Sequence, residues 1–270
     1  MTDRIIYQNS ELFYYKEGRG SKTILLFHGF GHDHKAFDSW VEQFENDYTI
    51  FTFDLFFHGN SKWANQQALT KDDWKKLVQL FIKQERIENF EIAGFSIGAK
   101  FVLATLELFS ERINKVVLIA PDGIKNNFWY SLATGTSLMR TLFRSLILRP
   151  KRLRTLIKLL KFFHLEDKNL LRLVEVQLST EEKRQRVYNS WIYFRHLNFN
   201  LNDLTLLLNS RNILVVFILG KLDKVIPSER IENFAKSLMN YRFHLPDVGH
   251  HDLISKGINY VYNNEGAIKK

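Results

Sequence analysis

Phe90-Glu91-Ile92-Ala93-Gly94-Phe95-Ser96-Ile97-Gly98-Ala99 is the stretch whose reading decides the fold. An apolar run ends in Gly-x-Ser-x-Gly, and a helical pattern follows at once. That order fits a strand turning sharply into a helix, with a serine hydroxyl held at the tip of the turn. The chain must pass closely on both sides of the serine, and Gly94 and Gly98 have no Cβ to obstruct it. A helix starting directly behind Ser96 aims its free N–H groups at any negative charge developing there. The competing reading is an ordinary strand–turn–helix with an N-capping serine. Five residues alone do not separate the two.

The flanking chain alternates short apolar runs with helical patterns. Upstream, residues 4–8 and 11–16 read as a hairpin turning at Asn9-Ser10. Thr23–Phe27 is a buried strand ending in His28-Gly29-Phe30-Gly31, and Lys35–Glu45 is helical. Tyr48–Phe53 is a strand ending at Asp54 and the turn His58-Gly59-Asn60-Ser61. Thr70 with Asp73 opens a helix running to about Gln84. Downstream, Lys115–Ala120 is a strand stopped by Pro121-Asp122-Gly123. Asn212–Leu219 leads into Gly220-Lys221-Leu222-Asp223, and Tyr241–Leu245 into Pro246-Asp247-Val248-Gly249-His250-His251. The expected architecture is α/β, a mostly parallel sheet of about eight strands with helices on both faces. Right-handed crossovers place strand C-termini along one edge, where ligands bind in open α/β sheets. His28, Asp54, Ser96, Asp122, Asp223 and His250 all follow strands, so all belong to that edge.

Composition bounds the function. The chain has 270 residues, 45% of them hydrophobic, and no cysteine. A packed globular protein is expected, without disulfides or thiolate chemistry. The first residues lack the apolar core of a signal peptide, and no run is long enough to cross a bilayer. The expected location is cytoplasmic, with attachment to a membrane surface left open.

Five stretches in order carry a resemblance: His28-Gly29-Phe30-Gly31, the turn from Asp54 to Ser61, Gly94-Phe95-Ser96-Ile97-Gly98, Gly220-Lys221-Leu222-Asp223 through Pro227, and Val248-Gly249-His250. The chain resembles the α/β-hydrolase superfamily in its capped, serine-nucleophile (esterase/lipase-like) branch, where the chain order is Ser, Asp, His. Chemistry supports each role. Ser96 is a weak nucleophile until a base takes its proton. His250 can accept that proton and return it to the leaving group. Asp223 would fix the imidazole tautomer. The Ile97 N–H, at the helix start, is one oxyanion donor. By resemblance, the Phe30 N–H is the other. Asp122 and, more weakly, Asp247 rival Asp223, and His251 rivals His250. His28 and His58 read as structural. No cofactor is expected. The run His32-Asp33-His34 invites a metal reading, but the serine mechanism requires no metal. Where the family more often carries Pro-Gly, this chain has Phe56-Phe57, which either line a pocket or simply pack. A serine at the elbow argues against the branches that use an aspartate nucleophile.

The resemblance divides the chain into a core over 1–121 and 210–270, and an inserted helical cap over 122–209. The insertion holds fifteen basic residues against seven acidic ones, a surplus of eight of the chain's net nine. Between Met139 and Phe163 the bases are interleaved with leucine, isoleucine and phenylalanine. That pattern suits a solvated cap helix, an anionic membrane surface, or the attraction of an anionic substrate. Nucleic acid is not expected, because no motif for it accompanies the charge. Phe128-Trp129-Tyr130 and Trp191-Ile192-Tyr193-Phe194 either line an apolar pocket or anchor the cap. The expected function is hydrolysis of a carboxylic ester with an apolar acyl or aromatic group, through an acyl-enzyme at Ser96. The alternatives are C–C bond cleavage, a lyase step or thioester hydrolysis on an anionic substrate at the same site, or a non-catalytic ligand-binding or membrane-associated protein. Substrate identity and oligomeric state are not legible.

Overall fold

A computed structural model of the chain describes residues 1–124, 128–162 and 175–261. Eight strands form one sheet in the order β1-β2-β4-β3-β5-β6-β7-β8. They are β1 (Thr2–Tyr7), β2 (Ser10–Glu17), β3 (Lys22–Phe27), β4 (Tyr48–Phe53), β5 (Phe90–Phe95), β6 (Ile113–Ile119), β7 (Leu214–Ile218) and β8 (Tyr241–His244). Only the β1–β2 and β2–β4 pairings are antiparallel; all others are parallel. The expected mostly parallel sheet is therefore present. The first hairpin turns one residue earlier than expected. Gln8 and Asn9 both have positive φ (47° and 63°), the geometry of a tight two-residue turn, and Ser10 already pairs with Tyr7.

Contacts divide the chain into two compact units. The larger comprises 1–66, 70–125 and 197–270, and the smaller comprises 67–69 and 126–196. In the larger unit, strand side chains alternate between two layers of helices, as a period of two requires. On one face Phe27, Phe51 and Phe53 meet Tyr14, Trp74, Phe81 and Phe101. Trp74 and Phe81 come from α2 (Lys71–Glu85), whose start is capped reciprocally by Thr70 and Asp73. Phe101 comes from α3 (Gly98–Phe109). On the other face Ile24, Leu26, Ile50, Phe95, Val117, Ile119 and Ile218 pack with α1 (Asp38–Phe44) and the C-terminal residues 253–261. The helix expected over Lys35–Glu45 is split: residues 34–37 form a 3₁₀ turn before α1. Trp40 of α1 is buried there and donates from Nε1 to the Ile254 carbonyl at 2.9 Å.

The described residues of the smaller unit between 128 and 193 are predominantly helical. It contains α4 (Phe128–Thr134), α5 (Ser137–Leu148), α6 (Pro150–Phe162) and α7 (Glu181–Tyr193). Trp191 packs on Tyr130 and stacks on Phe143, with ring centroids 5.4 and 5.2 Å apart. Those aromatic residues thus hold the helices of this unit to one another. Lys125, Phe163, Lys168 and Arg172, part of the insertion pattern, lie outside the described residues. The helix α8 (Leu201–Ser210) belongs to the larger unit, as do α9 (Glu229–Lys236) and α10 (Leu253–Gly257). Among the described residues no helix is long and apolar enough to cross a membrane.

Two stability effects follow. Phe81 makes edge contacts to Tyr14, Phe51 and Phe53 at 4.9–5.0 Å. Phe81→Ala should lower unfolding free energy by about 3–5 kcal/mol, read from urea titration. His244 ends β8 fully buried, and neither ring nitrogen has a hydrogen-bond partner among the described residues. Burial, then the Arg242 charge, lowers its pKa. The unfolded chain therefore takes up this proton more readily. Stability is complete above the ordinary imidazole range and is lost as pH falls through it. His244→Leu should raise the melting temperature, and by more at pH 5 than at pH 8.

Candidate active site

The site grows from the turn after β5. Ser96 sits at φ 51°, a left-handed conformation that costs a non-glycine residue about 1–3 kcal/mol. Its backbone is fixed on both sides by the chain leaving β6. The Ser96 N–H donates to the Ile119 carbonyl at 2.9 Å, and the Ser96 carbonyl accepts from the Asp122 N–H at 3.0 Å. The glycines make this possible. A Cβ on Gly98 would stand 2.2 Å from the Phe27 carbonyl oxygen, and one on Gly94 would stand 2.6 Å from Val102 Cγ2. The start of α3 is thereby pressed onto the end of β3, and Ile97 occupies its N-cap position.

The loop after β3 is pinned at two points to the turn after β4. His28 is fully buried; its Nε2 accepts from the Leu55 N–H at 3.0 Å, so Nδ1 carries the proton donated to the Gly29 carbonyl at 2.8 Å. Burial, then the neighbouring His58, pushes the His28 pKa down to about 3, so the ring is neutral at physiological pH. Six residues on, His34 donates both its backbone N–H and Nδ1–H to Asp54 Oδ1, each at 2.9 Å. Asp54 is itself buried. Its other oxygen accepts from the Asn60 N–H at 2.8 Å and from the Tyr15 hydroxyl at 3.4 Å. Gly59, at φ 50°, leaves room for that carboxylate, because a Cβ there would lie 2.0 Å from Asp54 Oδ2. Between the pins sits Phe30, whose ring meets the His58 ring edge-on at 5.4 Å. His58 donates from Nδ1 to the Phe56 carbonyl at 3.0 Å.

The loops after β7 and β8 are hydrogen-bonded to each other. Lys221 N–H donates to the Pro246 carbonyl at 2.9 Å, and Leu222 N–H to the Val248 carbonyl at 3.2 Å. This brings Asp223 to His250. Asp223 Oδ1 accepts from the backbone N–H groups of Val225 (2.7 Å) and Ile226 (3.0 Å), while Oδ2 lies 2.6 Å from His250 Nδ1. The His250 ring lies beside that of Phe95, with centroids 4.8 Å apart, next to Ser96 in the chain.

The acids left open by the sequence are placed apart. Asp122 accepts from the Gly123 N–H at 2.8 Å and lies 3.7 Å from the buried Lys100 ammonium. Asp247 pairs with Lys221 at 3.1 Å on the surface. Neither is hydrogen-bonded to His250 in the manner of Asp223. The His32-Asp33-His34 run also disperses. Asp33 caps the 3₁₀ turn, and His34 is on Asp54. His32 lies near Phe95, its buried Nδ1 without a hydrogen-bond partner among the described residues. Its pKa is lowered by burial and then by His251 and His250. Phe56 is fully buried against Trp63, which makes it a packing residue. The roles of His34, Tyr15 and Lys100 were not read from the sequence. For Lys100 a signal existed, a charge among the otherwise uncharged residues 98–106 of α3.

Residues 22–257 match the family model described as the alpha/beta hydrolase fold. The chain is 29% identical over 111 residues to "Putative esterase/lipase 2" of Mycoplasma pneumoniae, 41% of each protein. It thus spans about two fifths of the length of the curated relatives first matched. Among solved structures it is similar to a thermophilic esterase from Thermogutta terrifontis (TM-score 0.68, 14% identity, 97% of this chain and 95% of that one). It is also similar to the enol-lactonase from Burkholderia xenovorans LB400 (TM-score 0.65, 16% identity, 96% of each). These structural likenesses speak to the fold.

The close approach of α3 to β3 is open to test. Gly98→Ala should destabilise the protein by about 1–3 kcal/mol, since the obstructing atoms are backbone. It should also slow fluorophosphonate labelling at temperatures where the variant is still folded by circular dichroism.

Proposed function

Because the chain belongs to the alpha/beta hydrolase fold family, we propose that it is a serine hydrolase that cleaves carboxylic esters through an acyl-enzyme at Ser96. One observation carries this reading. The Asp223–His250 pair, at 2.6 Å, lies beside Phe95, and the next residue is held at positive φ at the end of a parallel strand.

Asp223 has committed one oxygen to two backbone N–H groups, and the other faces His250 Nδ1. It therefore holds the imidazole in the tautomer with the proton on Nδ1 and leaves Nε2 free to act as base. Nε2 takes the proton of the Ser96 hydroxyl as Oγ attacks the ester carbonyl. The carbonyl oxygen becomes an oxyanion, which the N–H groups of Ile97 and Phe30 stabilise. The imidazolium then protonates the departing alkoxide. The acyl group stays on Ser96 until water, deprotonated by the same Nε2, attacks it and regenerates the hydroxyl. The pins on His28 and His34 matter here because an oxyanion donor is effective only if it is already in place when charge develops. A neutral His28 keeps the bond from Leu55 that a protonated ring could not accept. The apolar surroundings contributed by Phe95 and Phe30 suit an ester whose acyl group is apolar.

Hydrolysis of p-nitrophenyl acetate, butyrate and octanoate tests the reading. Ser96→Ala should abolish turnover and fluorophosphonate labelling while circular dichroism is unchanged. Asp223→Asn should lower kcat by about 10⁴-fold with little change in KM, whereas Asp122→Asn should leave the pH profile unaltered. An enzyme that labels at Ser96 but turns over none of the esters would refute ester hydrolysis and keep the nucleophile.

A further inference from the structure

We propose that the outer face of α5, together with the start of α6, is a docking surface for an anionic lipid bilayer. From Gly123 to Leu165 the chain carries no aspartate or glutamate, yet it holds nine lysines and arginines. A surface that is only solvated ordinarily mixes both signs. Here the charge is of one sign over a continuous stretch of helices.

The arrangement of side chains narrows the partner. Leu138, Thr141, Leu142 and Ser145 recur at helical spacing and share one side of α5, and Arg149 follows as its C-cap. Leu138 and Leu142, one turn apart, are 62% and 54% exposed, and Leu132 of the preceding helix is 42% exposed. The opposite side of α5 is satisfied within the unit, where Phe143 stacks on Trp191 and Ile147 is buried. The outward leucines are therefore not needed for packing. Just past the end of α5 Arg149 is exposed, and Arg152 of α6 reaches back to donate to the Ser145 hydroxyl. Leu153 and Ile157 anchor α6 inward, leaving Lys151, Arg154 and Lys158 exposed. Protruding leucines beside exposed guanidinium groups match a bilayer interface. The aliphatic side chains enter the acyl boundary, and the cations meet lipid phosphates and carboxylates. A soluble polyanion would use the cations but gain nothing from the leucines. The inference does not depend on the catalytic reading.

The experiment is co-sedimentation of the full chain with phosphatidylcholine vesicles containing roughly one third phosphatidylserine, beside vesicles of phosphatidylcholine alone. Wild type should pellet with the anionic vesicles only, and release as salt rises toward about 0.5 M, where the Debye length falls below that at physiological salt. Arg149→Gln with Arg152→Gln should weaken binding at least tenfold. Leu138→Ser with Leu142→Ser should weaken it several-fold while keeping the salt dependence. Both pairs lie on the surface, and p-nitrophenyl butyrate turnover without vesicles should match wild type. The proposal is overturned if the protein fails to pellet with anionic vesicles, if it binds neutral vesicles equally, or if the leucine pair has no effect while single-stranded polynucleotide displaces the vesicles. The last result would assign the surface to nucleic acid.

Discussion

The backbone of Ser96 is the constraint on which the sheet edge depends. A side chain at φ 51° is held there because the residue is bonded on both sides, to Ile119 and to Asp122, by a strand that pairs in parallel with β5. Directly behind the serine, α3 starts close against the end of β3. The distance is set by Gly94 and Gly98, which bring the helix start into contact with the carbonyls of Phe27 and His28. A local cost is thus maintained by long-range strand pairing. The three strands β3, β5 and β6 are adjacent in the sheet, so the serine, the loop bearing Phe30 and the turn at Asp122 are fixed relative to one another by the same ladders.

Two aspartate–histidine pairs lie along that edge, and they are built alike. Asp54 and Asp223 each follow a strand, are buried, and accept two backbone N–H groups together with one imidazole Nδ1–H. Backbone donors make a buried carboxylate tolerable, because the charge is met by dipoles that are fixed before the ion pair forms. What separates the pairs is the far side of the ring. The His34 ring is stacked on Tyr15, with centroids 3.4 Å apart, and so serves to tie the loop after β3 to the turn after β4. The His250 ring lies beside that of Phe95, with centroids 4.8 Å apart. The same pairing at His34 fastens two loops to each other, and at His250 it joins the loops after β7 and β8.

The elements legible in the sequence were those with local signals. The near-continuous apolar runs of β3 through β7, buried on both faces, the capping box at Thr70 and the Gly-x-Ser-x-Gly turn each declare themselves within a few residues. Ser96, Asp223 and His250 could be nominated because strand C-termini share an edge. The choice of Asp223 over Asp122 rested on motif, and the geometry that distinguishes them comes from the β7 and β8 loops bonding to each other. The His34–Asp54–Tyr15 cluster was illegible for a similar reason. Its members come from two loops and β2, and nothing in their neighbours marks them. The early hairpin was misplaced by one residue because Gln8 is not a residue type that advertises positive φ, whereas Asn9 is.

The distribution of charge adds a final consideration. Nearly all the net charge resides in the insertion, while the buried ionised groups of the sheet edge are met by backbone donors or opposite charges. Positive charge concentrated around Asp223 would compete with His250 for that carboxylate and weaken its hold on the ring. Exposed bases on α5 and α6 are screened within about 10 Å at ordinary salt, so they act on what approaches those helices closely. The insertion thus concentrates cations on solvent-facing helices, while at the sheet edge the carboxylates of Asp54 and Asp223 are each met by two backbone N–H groups.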